Sequence, residues 1–489
     1  MNNAFDAHMV QRRTGVGFAI AAALAASSCG SGGSNPPPPT SPYGGTTQVT
    51  LVLGSVANDL LAEYDVTFQS ITLTSQSGQT VTLLGQPQNA EFIHVNGANE
   101  PMLTMAVPQD IYTSAAVTIS STSMTCLSVA STGGILVSTF ANNALAPGNV
   151  TVTLPQPIAI AGNGQGLLLK MQVSQSAQLS NCAGGQGATY SFTPTFALSA
   201  FALPAIEPTA SSVLRTLDCQ ETGVSGATGS LQVTLAPQLE PAAPIEVQTN
   251  ASTVFQGSIS LAYAAIGQFL QIDGSLQADG SVLATRVALA DPAAQNALEG
   301  PILTVDSAVP YLAMYPLVHQ GPSGRSDVEV FDFSGASFRI DGLFTNLSSL
   351  PFAASFNPSN MVAGQNVYVS SPVLNNASPP NYSALATTIT LEPQTIDGTI
   401  VATASSGGFT IYTVQLAAYD LFPALAVQAG QTTLLGSPAT VEVYVDQNTQ
   451  QLGTELPTSG SVMRFFGLIF DDGGTLRMDC SHIDDGVAL

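Results

Sequence analysis

Gly267-Gln-Phe-Leu-Gln-Ile-Asp-Gly274 and, after a short gap, Asp279-Gly-Ser-Val-Leu-Ala-Thr-Arg-Val-Ala-Leu289 together decide how this chain folds. Each is a short run rich in aliphatic residues, opened by a glycine or an Asp-Gly turn signal, which reads as a strand entering or leaving a hairpin. The same order recurs twice. Gly364-Gln-Asn-Val-Tyr-Val-Ser370 precedes Ser383-Ala-Leu-Ala-Thr-Thr-Ile-Thr-Leu391, and Ser461-Val-Met-Arg-Phe-Phe-Gly467 precedes Asp472-Gly-Gly-Thr-Leu-Arg-Met-Asp-Cys480. Repeats at a spacing of roughly 100 residues predict three small domains in series rather than one large sheet. Their boundaries are placed at 208–296, 297–393 and 394–489, with Glu299-Gly-Pro301 and Pro393-Gln-Thr-Ile-Asp-Gly398 at the junctions.

The upstream half is also made of strands. In Asp65-Val-Thr-Phe-Gln-Ser-Ile-Thr-Leu73 apolar residues alternate, with a phase shift at Gln69-Ser70 that predicts a β-bulge. Ser75 to Gln79 is a turn signal and Val81-Thr-Leu83 the return strand. Val150 to Leu154 and Leu167 to Val173 read as strands, and Gly162-Asn-Gly-Gln-Gly166 between them as a hairpin turn rather than a phosphate-binding loop, because no helix follows it. Helical periodicity is nearly absent; Ala57 to Glu63 is the one stretch expected to form a turn or two of helix. The expectation is an all-β protein: a β-sandwich-like domain over 46–207, then about three small OB-like β-barrels.

Two family resemblances follow from these residues. The strand Val49-Thr-Leu-Val-Leu53, the strand Val66 to Leu73, and Val107-Pro-Gln-Asp-Ile-Tyr-Thr113 leading into Ala116-Val-Thr-Ile119 resemble, over about Thr46 to Ala205, the bacterial lipoprotein N-terminal domains of domain-of-unknown-function family 4382. The glycine, hydrophobic strand, Asp-Gly turn and Val282-Leu-Ala-Thr-Arg-Val287 strand resemble domain-of-unknown-function family 5666, most closely in the first repeat. Both resemblances imply a bacterial envelope lipoprotein.

The N-terminal residues point the same way. Arg12-Arg13 and the alanine-rich stretch Thr14 to Ser28 have the shape of a signal peptide, expected over 1–28, and Ala26-Ser27-Ser28 before Cys29 resembles a lipobox. Cys29 is therefore the expected lipidation site, followed by a Gly/Ser/Pro linker over 29–45 whose four consecutive prolines favour an extended spacer. Cleavage at a neighbouring small residue, leaving Cys29 a loose thiol, is the alternative. Gly30 rather than Asp after the cysteine implies, by resemblance to sorted envelope lipoproteins, the outer membrane. Of the remaining cysteines, Cys126 and Cys182 lie in the first domain and are expected to pair. Cys219 is then expected to pair with Cys480; a Cys182–Cys219 bridge is the competing arrangement.

Composition limits function. The 489 residues carry 9 Lys and Arg against 32 Asp and Glu, a net charge of −23, which excludes a nucleic-acid binder and electrostatic docking on anionic lipid. Hydrophobic residues make up 45%, too many for a disordered acidic chain. His94, His319 and His482 are isolated in sequence and lack His-x-x-His or Cys-x-x-Cys partners, so neither metal nor cofactor is expected. Cys480-Ser-His-Ile-Asp-Asp485 reads as an ordinary polar terminus, and Asp471-Asp-Gly-Gly474 and Asp484-Asp-Gly486 as turns rather than calcium sites. Gly321-Pro-Ser-Gly-Arg325 lacks the spacing of a nucleophile elbow. The chain has no tryptophan, which weighs against a sugar-processing cleft. The expected function is non-catalytic, a tethered binding or scaffolding role toward an envelope protein or glycan. A carbohydrate-active or other hydrolytic enzyme with a site between domains is the alternative.

Overall fold

The computed structural model describes residues 43–486, apart from 57–59, 130–134, 143–149, 163, 181, 183–188, 204–216, 226–228, 236–243, 258–259, 261–265, 290, 323–326, 343–346, 375–383, 418–419 and 454. The signal-like segment and Cys29 lie outside the described residues. Among the described residues no helix is long and apolar enough to cross a membrane.

Two large sheets build the first domain, beside a two-stranded one of Ala177–Leu179 and Tyr190–Phe192. One runs Asn99–Pro108, Thr46–Val56, Gln165–Gln172, Thr195–Ala202, Thr151–Thr153; the other runs Thr80–Leu84, Leu61–Ser75, Asp110–Val129, Ile135–Asn142, with Gln88–Glu91 and Ile158–Ile160 on its flanks. Alternation decides which side chains meet: Leu51, Leu167 and Phe196 from one sheet pack on Tyr64, Phe68 and Ile119 from the other. Phe68, Phe92 and Phe196 form a ring cluster with centroids 5.7–6.1 Å apart, and truncating any of these rings to alanine removes about 3–5 kcal/mol. The register shifts on both sides of Phe68, where the alternation of the sequence changes phase. Gln165–Gln172 is buried on its inner face and half-buried on its outer one, where Leu168 packs, with Val52 and Phe201, on the first barrel.

Two expectations fail here. Leu61 to Glu63 is strand, not helix, since these residues pair with Thr125 and Cys126 across the second sheet. The 162–166 loop is not a hairpin. Ile158–Ile160 belongs to one sheet and Gln165–Gln172 to the other, so the loop carries the chain across the sandwich.

Three five-stranded barrels follow, each with strand order 3-2-1-4-5 and the fifth strand closing in parallel on the third, the order of an OB-like barrel. Barrel 1 uses Leu217–Ser225, Ser230–Leu235, Ile245–Gln248, Phe269–Leu276 and Val282–Leu289, closed at Val247 and Val282. Barrel 2 uses Asn296–Asp306, Tyr311–Met314, Glu329–Asp332, Asn366–Ser371 and the run Ala384–Leu385 with Thr388–Leu391, closed at Phe331 and Ala384. Barrel 3 uses Gln394–Ser406, Phe409–Leu416, Thr440–Val445, Val462–Asp471 and Leu476–Asp485, closed at Val443 and Met478. The recurring glycine has a physical reason. Gly267, Gly364 and Gly460 enter the fourth strand at φ of 94°, 92° and 93°, a backbone region closed to most side-chain-bearing residues. Barrel 3 adds a helix, Leu421–Gln428, that its composition hides: Asp420 caps it by accepting from the Phe422 amide, while its apolar residues pack in a seam.

Cys126 and Cys182 form a disulfide. Cys219 and Cys480 do not pair. Each points into the apolar core of a different barrel, barrel 1 for Cys219 and barrel 3 for Cys480, so two independent closed walls separate them. Burial pushes both thiols up from their ordinary range, with nearby carboxylates acting in the same direction.

Candidate functional site

The sandwich, barrel 2 and barrel 3 meet at one small cleft of about 110 Å³. Leu61, Ala62 and the loop Ile93–Asn96 supply one wall, Pro301, Leu317 and Asn366 a second, Gln394, Thr395, Phe466 and the start of the Leu421–Gln428 helix the third. Beneath it Ala62, Leu303, Tyr315, Val318 and Leu425 form a buried apolar plug that joins all three bodies. The polar groups are committed to holding backbone. Gln394 accepts from the Asn366 amide at 2.9 Å and donates to the Gly364 carbonyl at 3.1 Å, while the Thr395 hydroxyl donates to the Asn96 carbonyl at 3.2 Å. Asp420 is spent on the helix cap.

His94 lines this cleft and is the one imidazole there. Its Nδ1 lies 3.0 Å from Glu91 Oε2 and its Nε2 3.0 Å from Glu100 Oε2, all three side chains buried. Glu91 also accepts from the amides of Tyr64, Ile93 and His94 at 2.7–2.9 Å. Each ring nitrogen therefore has a carboxyl partner. With both nitrogens engaged, the ring has no position left from which to take a proton from a substrate. His319 sits 3.4 Å from Asn296 Oδ1. His482 stacks on Phe466, and burial holds its pKa down at about 4. The three histidines are not brought together.

The structure also places a residue pattern that the sequence reading missed. Asp218 is paired across the barrel with Gln271, Glu299 with Tyr368 and Asp397 with Arg464, the same register position in all three barrels. Their neighbours Leu217, Leu298 and Ile396 face the barrel cores, so the acids face outward, yet all are buried because other parts of the molecule cover them. Gln271 Nε2 donates both to Asp218 at 3.0 Å and, across the seam, to Glu392 of barrel 2 at 2.7 Å. Arg464 meets Asp397 at 2.9 Å. The signal was present as Leu217-Asp218, Leu298-Glu299 and Ile396-Asp397, legible once the repeats are aligned on their fourth-strand glycines.

Every basic side chain among the described residues is used internally. Arg286 of barrel 1 binds Asp273 with two nitrogens and reaches Asp341 of barrel 2 at 3.2 Å; Arg339 donates back to the Leu289 carbonyl at 3.1 Å. Lys170 of the sandwich meets Asp484 of barrel 3 at 3.4 Å, and Arg477 joins Asp472 at 3.2 Å beneath the rings of Phe352 and Tyr444. Asp471 accepts from the Gly474 amide at 2.7 Å, as a turn-forming carboxylate does; Asp484 and Asp485 instead end the strand Leu476–Asp485, against the turn expected there, and Asp485 accepts from the Glu455 amide at 2.8 Å. Among the described residues no three His, Cys, Asp or Glu side chains are placed to hold a metal ion.

A second, larger groove of about 310 Å³ lies between the sandwich and barrel 1, lined by Pro101 to Thr104, Pro244 to Glu246 and Asp279 to Ser281. Burial raises the Asp279 carboxyl, but the Ser281 hydroxyl and amide and the Gln248 side chain donate to it, and the net shift is downward. It is an ionised turn carboxylate rather than a proton donor.

The family described as Domain of unknown function (DUF5666) matches residues 222–288, which run from within the first strand of barrel 1 to the penultimate residue of its fifth. No curated protein matches the chain.

Proposed function

We propose that this protein is a non-catalytic component of a bacterial envelope, anchored through lipid on Cys29, whose β body has a binding or scaffolding role. One observation supports the reading: the groups able to do chemistry at the central cleft are already engaged in internal hydrogen bonds, above all His94, held between Glu91 and Glu100 within the sandwich. A cleft of about 110 Å³ is also smaller than the roughly 300 Å³ at which ligand pockets begin. The Cys126–Cys182 disulfide suits an oxidising compartment such as the periplasm or the cell surface. Cysteine parity gives no further support, because Cys219 and Cys480 are buried thiols and an odd cysteine no longer singles out Cys29. Assignment of residues 46–205 to the lipoprotein N-terminal domains of family 4382, and of the outer membrane as destination, belongs to the same proposal.

Cells fed a clickable palmitate test the anchor. The wild-type chain takes up label and sediments with membranes, whereas Cys29→Ala stays soluble and unlabelled; equal labelling of both ends the proposal. The enzyme alternative has its best location in the groove beside Glu246 and Asp279. Turnover of a polysaccharide panel that is lost in Asp279→Asn would replace the non-catalytic reading.

A further inference from the structure

The fourth and fifth strands of barrels 1 and 3 share a feature that barrel 2 lacks. Their pairing shifts register after Asp273 in barrel 1 and after Phe466 in barrel 3, and a glycine follows each time, Gly274 and Gly467. Asn366–Ser371 and Thr388–Leu391 of barrel 2 pair without a shift. The last pairs before the two bulges are Asp273 with Arg286 and Phe466 with His482. Their neighbours Ile272, Val287, Phe465 and Ile483 belong to the barrel cores, so alternation turns both pairs outward. A bulge at this point fixes where such side chains aim. All four outward residues are nevertheless buried, because another body sits on each pair.

On barrel 1 the seated segment is Asp341-Gly342 of barrel 2. Arg286 Nε and Nη2 bind Asp273 at 2.5 and 3.2 Å, and Nη2 also reaches Asp341 at 3.2 Å. Gly342 lies so close to the guanidinium that a Cβ on it would overlap Arg286 Nε and Cζ. On barrel 3 the seated segment is Asn96-Gly97 of the sandwich. His482, which burial keeps uncharged at neutral pH, stacks on Phe466 with ring centroids 4.6 Å apart. A Cβ on Gly97 would stand 3.2 Å from Phe466 and 3.4 Å from His482, and φ there is 72°. In barrel 2 the corresponding pair is Ser370 with Thr388, and the Ser337 hydroxyl of the same barrel lies 3.2 Å from Thr388 Oγ1.

We propose that the bulged pair is a docking seat for a glycine turn, and that its two side chains select which body each barrel takes: an acidic turn on Asp273–Arg286, an uncharged one on Phe466–His482. Glycine is required because backbone, not side chain, packs on the seat. Charge then discriminates. On barrel 1 the guanidinium, already fixed by Asp273, gives Asp341 a charge-assisted bond in a buried seam. The same carboxylate set on the Phe466–His482 stack would be buried without a cation, which is costly. The seats therefore fix which body packs on which barrel, barrel 2 on barrel 1 and the sandwich on barrel 3.

Hydroxyl-radical footprinting of the full chain, with amide exchange on the same samples, tests this. Phe269 and Tyr368, which pack together across the seam of barrels 1 and 2, report the first seat; Phe466 and His482 report the second. Gly342→Ala should raise oxidation of Phe269 and Tyr368 at least about tenfold, as the open population does when docking weakens by about 1.4 kcal/mol, and leave Phe466 and His482 unchanged. Gly97→Ala should do the reverse. Asp273→Phe combined with Arg286→His gives barrel 1 the pair that barrel 3 carries at its own bulge, and should open the first seam by stranding Asp341. In all three variants amide protection in Ser230–Leu235 and Thr440–Val445, strands of the two barrels away from the seats, should stay at the parent level. Unchanged oxidation of Phe269 and Tyr368 in Gly342→Ala and in the exchanged pair would overturn the proposal. So would a rise at both seams from either glycine variant, or lost protection in those strands, which would mean that the pair holds its own barrel rather than its neighbour.

Discussion

Glu221→Gln should stabilise barrel 1 above neutral pH and abolish a pH dependence that the unsubstituted barrel shows. Glu221 is on the first strand, on the same face as Leu217 and Cys219, 1% exposed, and neither carboxyl oxygen has a hydrogen-bond partner. Burial raises its pKa from 4.5 to about 7. Between those values the folded barrel keeps the proton and the unfolded chain has lost it, so folding stability falls as pH rises through this window and is constant outside it. The difference of about two and a half units corresponds to about 3 kcal/mol lost between pH 4.5 and pH 7. A glutamine keeps the shape and never ionises. Because the chain holds several folded bodies, a single melting curve does not isolate barrel 1. The measurement is native-state hydrogen exchange over Leu217–Ser225 and Phe269–Leu276, corrected for intrinsic exchange, from pH 5 to 8. Asp479 in barrel 3, raised to about 6 by burial and by Asp446, imposes a similar trend on its own barrel that Glu221→Gln leaves untouched, an internal control. An unchanged slope in barrel 1 would refute the assignment of the buried charge.

His94→Gln should cost about 3 kcal/mol, since it removes from the buried Glu91 and Glu100 side chains the ring that partners both; thermal unfolding followed by exchange in the Gln88–Glu91 and Asn99–Pro108 strands reads it, and a loss below about 1 kcal/mol would mean the ring is a spectator. Peptide mapping without reduction should return one cross-link, Cys126 to Cys182, and Cys219 and Cys480 should react with an alkylating reagent only after denaturation. Removing the bridge as the Cys126→Ala, Cys182→Ala pair should destabilise the sandwich by about 4 kcal/mol, the chain-entropy value for its separation of 56 residues.

Local physics alone placed much of this fold. Period-two alternation marked Asp65 to Leu73, the middle of the strand Leu61–Ser75, and its bulge. Gly267 and Gly364 marked two of the fourth strands because left-handed φ is a demand on one residue, and the third was read from Ser461, one residue past Gly460. Cys126 and Cys182 were legible as a pair for a similar reason, both lying within one domain. The seams were not legible. Asp218, Glu299 and Asp397 look like solvent-facing strand residues, and only the packing of separately folded barrels onto one another and the sandwich turns them into buried, partnered groups. Cys219 and Cys480 remained thiols because burial direction, not sequence distance, decides whether two sulfurs can meet. Leu421–Gln428 is helical because Asp420 caps it and the three-body plug covers its apolar face. Alternation and turn chemistry act over a few residues and can be read from the chain. Which outer face is covered, and by what, depends on contacts between distant parts of the chain, such as Gln271 with Glu392 and Thr395 with Asn96.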